Sequence, residues 1–207
     1  MRTDSIIFDL DGTLWNSIEG ICIAWNGLIA NYPGVKKITP EAMEGCMGLQ
    51  IDGIGKKLFP ELVEDAQIKL VKECCDIETI YLGEHGGILY TGVEETLRKL
   101  SEKYKLFIVS NCQDGYIQCF FKAHKLEKYF LDFECSGVTG LPKGENNKII
   151  MKRNGLKRPI YVGDTKTDAE SARVAGIPFV YARYGFGNVE EYDYVIDSFE
   201  EILTLEL

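Results

Sequence analysis

A parallel β-sheet covered by helices on both faces, interrupted once by an all-helical insertion, is the fold class this chain predicts. Three observations lead there. From Tyr90 onward, short apolar runs alternate with amphipathic helical stretches. The apolar runs are continuous rather than alternating, as strands buried on both faces require. Between the first such run, Ser5 to Phe8, and Tyr90 the texture is helical throughout. The 207 residues suffice for one full core and a small second module. A composition of 45% hydrophobic and 27% charged residues is that of an ordered globular chain.

The elements follow in order. Ser5 to Phe8 is a strand that ends on Asp9-Leu10-Asp11-Gly12-Thr13. Ile18, Ile21, Cys22, Trp25, Leu28 and Ile29 recur at three- and four-residue spacing, which predicts a helix ended by Pro33-Gly34. Thr39-Pro40 reads as the N-cap and first position of another helix. Gly48 to Gly55 reads as a loop or helix break. Phe59-Pro60 is expected to start a long helix through about Tyr81, with Leu62, Ala66, Leu70 and Cys74 on one side. Gly83 and Gly86-Gly87 are expected to form the exit hinge. Thr91-Gly92-Val93-Glu94 reads as a capping box opening a helix through about Tyr104.

Strands are predicted at Leu106–Ser110, Asp132–Cys135, Pro159–Val162, Ile177–Ala182 and Tyr194–Ile196, and helices at Gly115–Ala123, Glu145–Arg153 and Asp168–Ala175. Residues 1–15 and 89–207 therefore read as a Rossmann-like core, and 16–88 as a helical cap inserted after the first strand. Ligands of such sheets bind at the carboxyl ends of the strands.

Composition narrows the function. A net charge of −9 argues against nucleic acid, which needs a basic footprint, and against anionic membrane surfaces. Seven cysteines without C-x-x-C spacing read as idle thiols rather than a disulfide framework. His85 and His124 make no zinc pattern. Met1 is followed at once by a strand-like segment, and no apolar run approaches membrane-spanning length, so a cytoplasmic location is expected. No long apolar seam demands a stable dimer, so a monomer or weak dimer is expected.

Four strand ends carry chemistry-bearing residues: Asp9 and Asp11; Ser110 and Asn111; Lys143, in a loop after Gly140-Leu141-Pro142; and Asp164, with Asp168 one helical turn further on. Two carboxylates at i and i+2 repel unless a cation neutralises them, and hard oxygen ligands suit Mg²⁺. The natural reading is a phosphoryl-transfer site. One Asp attacks phosphorus, the other moves protons, and the metal neutralises the phosphate.

With these residues in place, the chain resembles the haloacid dehalogenase-like superfamily, in particular its phosphatase branch with a small helical cap and phosphoglycolate phosphatase-like members. The motifs are Asp9-Leu10-Asp11-Gly12-Thr13, Ser110-Asn111, Lys143, and Gly163-Asp164-Thr165-Lys166-Thr167-Asp168 followed by Ala172 and Ala175-Gly176. The resemblance implies Asp9 as nucleophile, forming an aspartyl-phosphate, and Asp11 as general acid and base with its main-chain carbonyl on the metal. It implies phosphate contacts from Ser110 and Asn111, and charge balance from Lys143. It further implies Mg²⁺ on Asp9, Asp11 and Asp164, and Asp168 behind them, orienting metal-bound water or Lys143.

The chain departs from relatives in three places. Asn16-Ser17 stands for Asp-Ser, Thr91 for Pro, and Gly144-Glu145-Asn146 follows Lys143. Tyr184-Gly185-Phe186-Gly187 reads as a glycine-supplied turn that could also border the pocket. Gly48-Leu49-Gln50 and Gly53-Ile54-Gly55-Lys56-Lys57 are candidate substrate-reading loops, in which Lys56 and Lys57 could meet an anionic leaving group. The expected activity is hydrolysis of a small phosphorylated metabolite. Inorganic pyrophosphatase or phosphosugar mutase chemistry is the alternative on the same fold. A phosphate-binding or receiver-like signalling protein is the remote one, since receivers place the acidic pair and the phosphoacceptor on different strands.

Overall fold

The computed structural model describes residues 3–207; Met1 and Arg2 of the first core segment lie outside the described residues. Six parallel strands form the sheet in the order β5-β4-β1-β6-β7-β8. They are β1 (Ser5–Phe8), β4 (Lys105–Ser110), β5 (Asp132–Cys135), β6 (Pro159–Gly163), β7 (Phe179–Ala182) and β8 (Tyr194–Ile196). β1 is central. Phe8 lies beside Ile108 of β4 on one side and Val162 of β6 on the other. Successive β1 side chains alternate between the sheet faces. Ile6 and Phe8 join one apolar cluster, and Ile7 joins Phe107, Val109 and Tyr161 in the other. Two buried faces explain why Ile6, Ile7 and Phe8 are all apolar. From β1 the chain adds β4 and β5 to one side, then β6, β7 and β8 to the other. That reversal opens a crevice at the carboxyl ends of β1, β4 and β6, where such sheets bind ligands.

The helices covering the sheet are α5 (Val93–Ser101), α6 (Tyr116–His124), α7 (Ser136–Thr139), α8 (Lys143–Asn154) and α9 (Lys166–Ala175). Between β1 and α5 come α1 (Ile18–Ile29), α2 (Pro40–Glu44), α3 (Ile51–Leu58) and α4 (Glu64–His85). α4 packs on α1, α3 and α6. The chain leaves and re-enters the sheet layer through a short antiparallel pair, β2 (Trp15–Asn16) with β3 (Ile88–Leu89).

Several local expectations change. Gly48–Gly55 is not all loop, because α3 begins at Ile51 and carries Gly53 and Gly55 inside it. Gly55 lies close against Gln67 of α4, where a Cβ would fall 3.0 Å from the Gln67 Cβ. α4 starts at Glu64 rather than Phe59, which is the buried end of α3. Gly83 lies within α4 against Cys119, and the turn is made at Gly86, in the left-handed region. Thr91 caps nothing; Gly92 takes the N-cap position with φ 73°, a conformation no capping threonine adopts. Lys143 is the first residue of α8, with Pro142 as its N-cap, not part of a loop. Thr39 does cap α2, accepting from the Ala42 amide.

Candidate active site

Asp9 follows β1 directly and is 3% exposed. Its amide donates to the Val162 carbonyl at 2.8 Å, so the sheet ladder runs one residue past the strand and fixes the side chain. The Lys143 ammonium donates to Asp9 Oδ1 at 2.8 Å and to Asp168 Oδ1 at 2.6 Å. All three side chains are almost wholly buried. Burial opposes the lysine charge, but Asp168 and Asp9 outweigh it and hold the ammonium pKa above the ordinary lysine range. Burial, and then the Asp168 carboxylate, push Asp9 up to about 7 against the pull of Lys143.

Asp168 sits in the first turn of α9. Its Oδ2 accepts from the Thr165 amide at 2.9 Å and the Thr165 hydroxyl at 2.6 Å, and its own amide donates to the Thr165 hydroxyl at 3.3 Å, closing a capping box. With Lys143 on Oδ1, both oxygens are engaged.

Asp164 follows β6 and is fully buried. The Phe186 amide donates to its Oδ2 at 2.7 Å, and the Thr13 hydroxyl lies 3.5 Å from Oδ1. Burial, with the Asp168 and Asp9 carboxylates, raises its pKa well above the usual range. Two glycines make room for it. A Cβ on Gly12, at φ +79°, would fall 2.1 Å from Asp164 Oδ2, and one on Gly185 would fall 2.3 Å from Asp164 Cβ. The Tyr184–Gly187 turn therefore borders the site through its backbone, and the Tyr184 hydroxyl donates to the Thr13 carbonyl at 2.8 Å. Asp9, Asp164 and Asp168 each present an oxygen within 4.8 Å of the others.

Asp11 takes a different environment. Ser17 donates to its Oδ1, and Tyr116 donates to the same oxygen at 2.9 Å. Burial raises its pKa, and these two hydroxyls oppose the rise. Neither hydroxyl was expected from sequence. Ser17 stands in the Asn16-Ser17 pair, directly before α1, and Tyr116 in the first turn of α6.

Asp9, Asp11, Ser110, Asn111 and Lys143 all line one cavity of about 270 Å³. Asn111 donates to the Gly48 carbonyl at 2.9 Å and accepts from Ser136, so the segment before α3 touches the end of β4. Gly48 and Gln50 line the cavity as expected, but Lys56 and Lys57 do not. Lys56 lies near Asp52 and Glu64 on the surface, and Lys57 donates to the Gly45 carbonyl.

One lining residue that sequence reasoning missed is Glu78 of α4, 4% exposed. Trp25 and Gln113 donate to its two oxygens, the latter at 2.9 Å, and burial pushes its pKa up to about 8. A signal was present. Leu70, Val71, Cys74, Cys75 and Leu82 form the buried stripe of α4, and Glu78 falls on it.

Among the described residues, no helix is long and apolar enough to cross a membrane. The family model for haloacid dehalogenase-like hydrolases matches residues 6–182. A phosphoglycolate phosphatase from Pasteurella multocida is 29% identical, covering 96% of this chain and 96% of that one. One from Vibrio parahaemolyticus is 28% identical over 97% of this chain and 94% of its own. Among solved structures, a haloacid dehalogenase-like family protein from Streptococcus pneumoniae superimposes with a TM-score of 0.81 at 25% identity, covering 98% of this chain and 97% of that one. With its sheet order, its buried aspartates and this match over most of its length, the chain belongs to the haloacid dehalogenase-like hydrolase family.

Proposed function

We propose that the chain is a magnesium-dependent phosphatase that hydrolyses a small phosphomonoester through a phosphoryl group carried on Asp9. The observation that carries this reading is the shared cavity. A buried carboxylate held by Lys143, a second carboxyl on Asp11 and the Ser110–Asn111 strand end all open onto it. The residues fit a hard divalent cation, since the donors are buried carboxylate oxygens with no nitrogen or sulfur among them. Asp168 is already engaged by Lys143 and Thr165, so Asp9, Asp164 and the Asp11 main-chain carbonyl would hold the ion. When bound, it supplies positive charge for the phosphate oxygens.

Asp9 then attacks phosphorus through a carboxylate oxygen, and the bond to the leaving alcohol breaks. Asp11, whose pKa burial raises, gives its proton to that oxygen. In the second half, Asp11 takes a proton from water, the water oxygen bonds to phosphorus, and the Asp9–phosphorus bond breaks to release phosphate. Lys143 balances charge on Asp9 and the phosphoryl oxygens, and Ser110 and Asn111 donate to those oxygens. Asp168 positions Lys143. Residues 16–88 act as the cap that excludes water and reads the leaving group. The named relatives act on phosphoglycolate by their descriptions, which supports a small-metabolite substrate.

The test is phosphate release from an aryl phosphate with magnesium or with chelator. Magnesium-dependent release that falls at least about a thousandfold in Asp9→Asn is expected, the scale of losing a covalent nucleophile. Equal release by the folded variant would refute the role of Asp9.

A further inference from the structure

The cavity above Asp9 and Asp11 carries a charge pattern that the catalytic roles do not use. Among the described residues, its only lining cation is Lys143, which is committed to Asp9 and Asp168. The rest of that lining forms a compartment with Ile21, Trp25, Met43, Met47 and Ile54 in its wall, and its acids are the buried Glu78 and the exposed Asp52. Trp25 and Gln113 fix the Glu78 carboxyl group without bringing positive charge. Each oxygen has lone-pair capacity for a further donor. A leaving group with its own carboxylate or second phosphate would lose its water beside Glu78 with no cation to compensate. A hydroxyl or ammonium would instead find an acceptor. The cavity volume of about 270 Å³, roofed where Gly48 meets Asn111, also limits size.

We propose that Glu78 makes this compartment select phosphomonoesters whose alcohol half is small, partly apolar, free of negative charge, and donates a hydrogen bond to the Glu78 carboxyl group. The assignment rests on the phosphatase reading and narrows its substrate class. Phosphoglycolate, whose alcohol half carries a carboxylate, falls outside it.

The experiment measures kcat/KM with magnesium at about pH 9, above the value of about 8 to which burial pushes Glu78, so that its carboxylate is charged, for three esters of matched length: phosphoglycolate, 2-hydroxyethyl phosphate and phosphoethanolamine. An aryl phosphate serves as reference, and the enzymes are wild type and Glu78→Gln. Wild type is expected to favour the neutral or cationic ester over phosphoglycolate by about tenfold or more, the effect of one uncompensated charge contact. Glu78→Gln, which keeps the shape and removes the charge, is expected to bring that ratio towards one, mostly through KM. A ratio is the readout, so a uniform loss of activity cancels. If the variant does not fold, the wild-type ranking decides alone. Aryl phosphate hydrolysis with phosphoglycolate ranked first, or an unchanged ratio in a folded Glu78→Gln, overturns the role of Glu78 and leaves the phosphatase standing. No release from any compound, the aryl phosphate included, overturns the phosphatase reading itself.

Discussion

Four acids of the site, Asp9, Asp11, Asp164 and Glu78, are each held by a different kind of partner. Asp9 has an ammonium, Asp11 two hydroxyls, Asp164 a main-chain amide, and Glu78 an indole and an amide. Only the first partner carries charge, so the others leave the acid's desolvation largely uncompensated. Glu78 shows the consequence for stability. Its pKa is pushed from 4.5 up to about 8 on folding. Between those values the folded state holds a proton that the unfolded chain has released, so stability falls as pH rises through the window. The fall is up to about 1.4 kcal/mol per pH unit. Glu78→Gln has no such proton. Its unfolding midpoint is expected to gain on wild type steadily from about pH 5 to about pH 8, followed by thermal melts. A constant gap across that range would contradict it. The aspartates were legible in sequence because they follow apolar strands. Glu78 and Tyr116 were not, because each lies in a helix whose partner is distant in sequence, and Ser17 was not, because the turn after Asp11 that brings its hydroxyl back is not marked by residue type.

At the scale of elements, strands deliver the acids and the turns after them complete the site. Gly12 and Gly185 illustrate this from two loops, after β1 and after β7, both closing on Asp164. Gly12→Ala forces a left-handed backbone on alanine and drives its Cβ to 2.1 Å from Asp164 Oδ2. The expected cost is about 1–3 kcal/mol of stability from the backbone alone. Displacement of Asp164 should also weaken magnesium binding, visible by titration calorimetry on the folded variant. Unaltered magnesium affinity would show that Asp164 tolerates the shift. The same logic explains where element boundaries moved. The apolar period marked α1 and, to within two residues, the six strands of the main sheet, but not the short β2–β3 pair. Gly92 and Lys143 were misplaced because backbone geometry and a distant carboxylate decide them, and neither is written locally.

At the scale of the whole molecule, a chain of net charge −9 places three of its acids within 4.8 Å of one another in its interior. A cation that binds only the folded state stabilises it by mass action, about 2.7 kcal/mol at a hundredfold excess over Kd. The unfolding midpoint should therefore rise with magnesium and return with chelator, and the rise should shrink in Asp164→Asn. A melt indifferent to magnesium in wild type would remove the proposed ligand set. The sheet class was legible from its continuous apolar runs. Strand order was not, since the central runs are alike in being apolar on both faces and the order is set by crossovers that span the helices between them.

The two-residue pairing of β2 with β3 sets Trp15 beside Leu89 and Asn16 beside Ile88. The helical segment α1–α4 thus departs and returns at one spot. For the sheet, the entropy of closing that excursion grows only with the logarithm of its length, so the segment can lengthen, shorten or be exchanged at little cost to the strands beneath it. Under the proposed function, that arrangement lets the segment that reads the leaving group be exchanged without disturbing the chemistry at the strand ends.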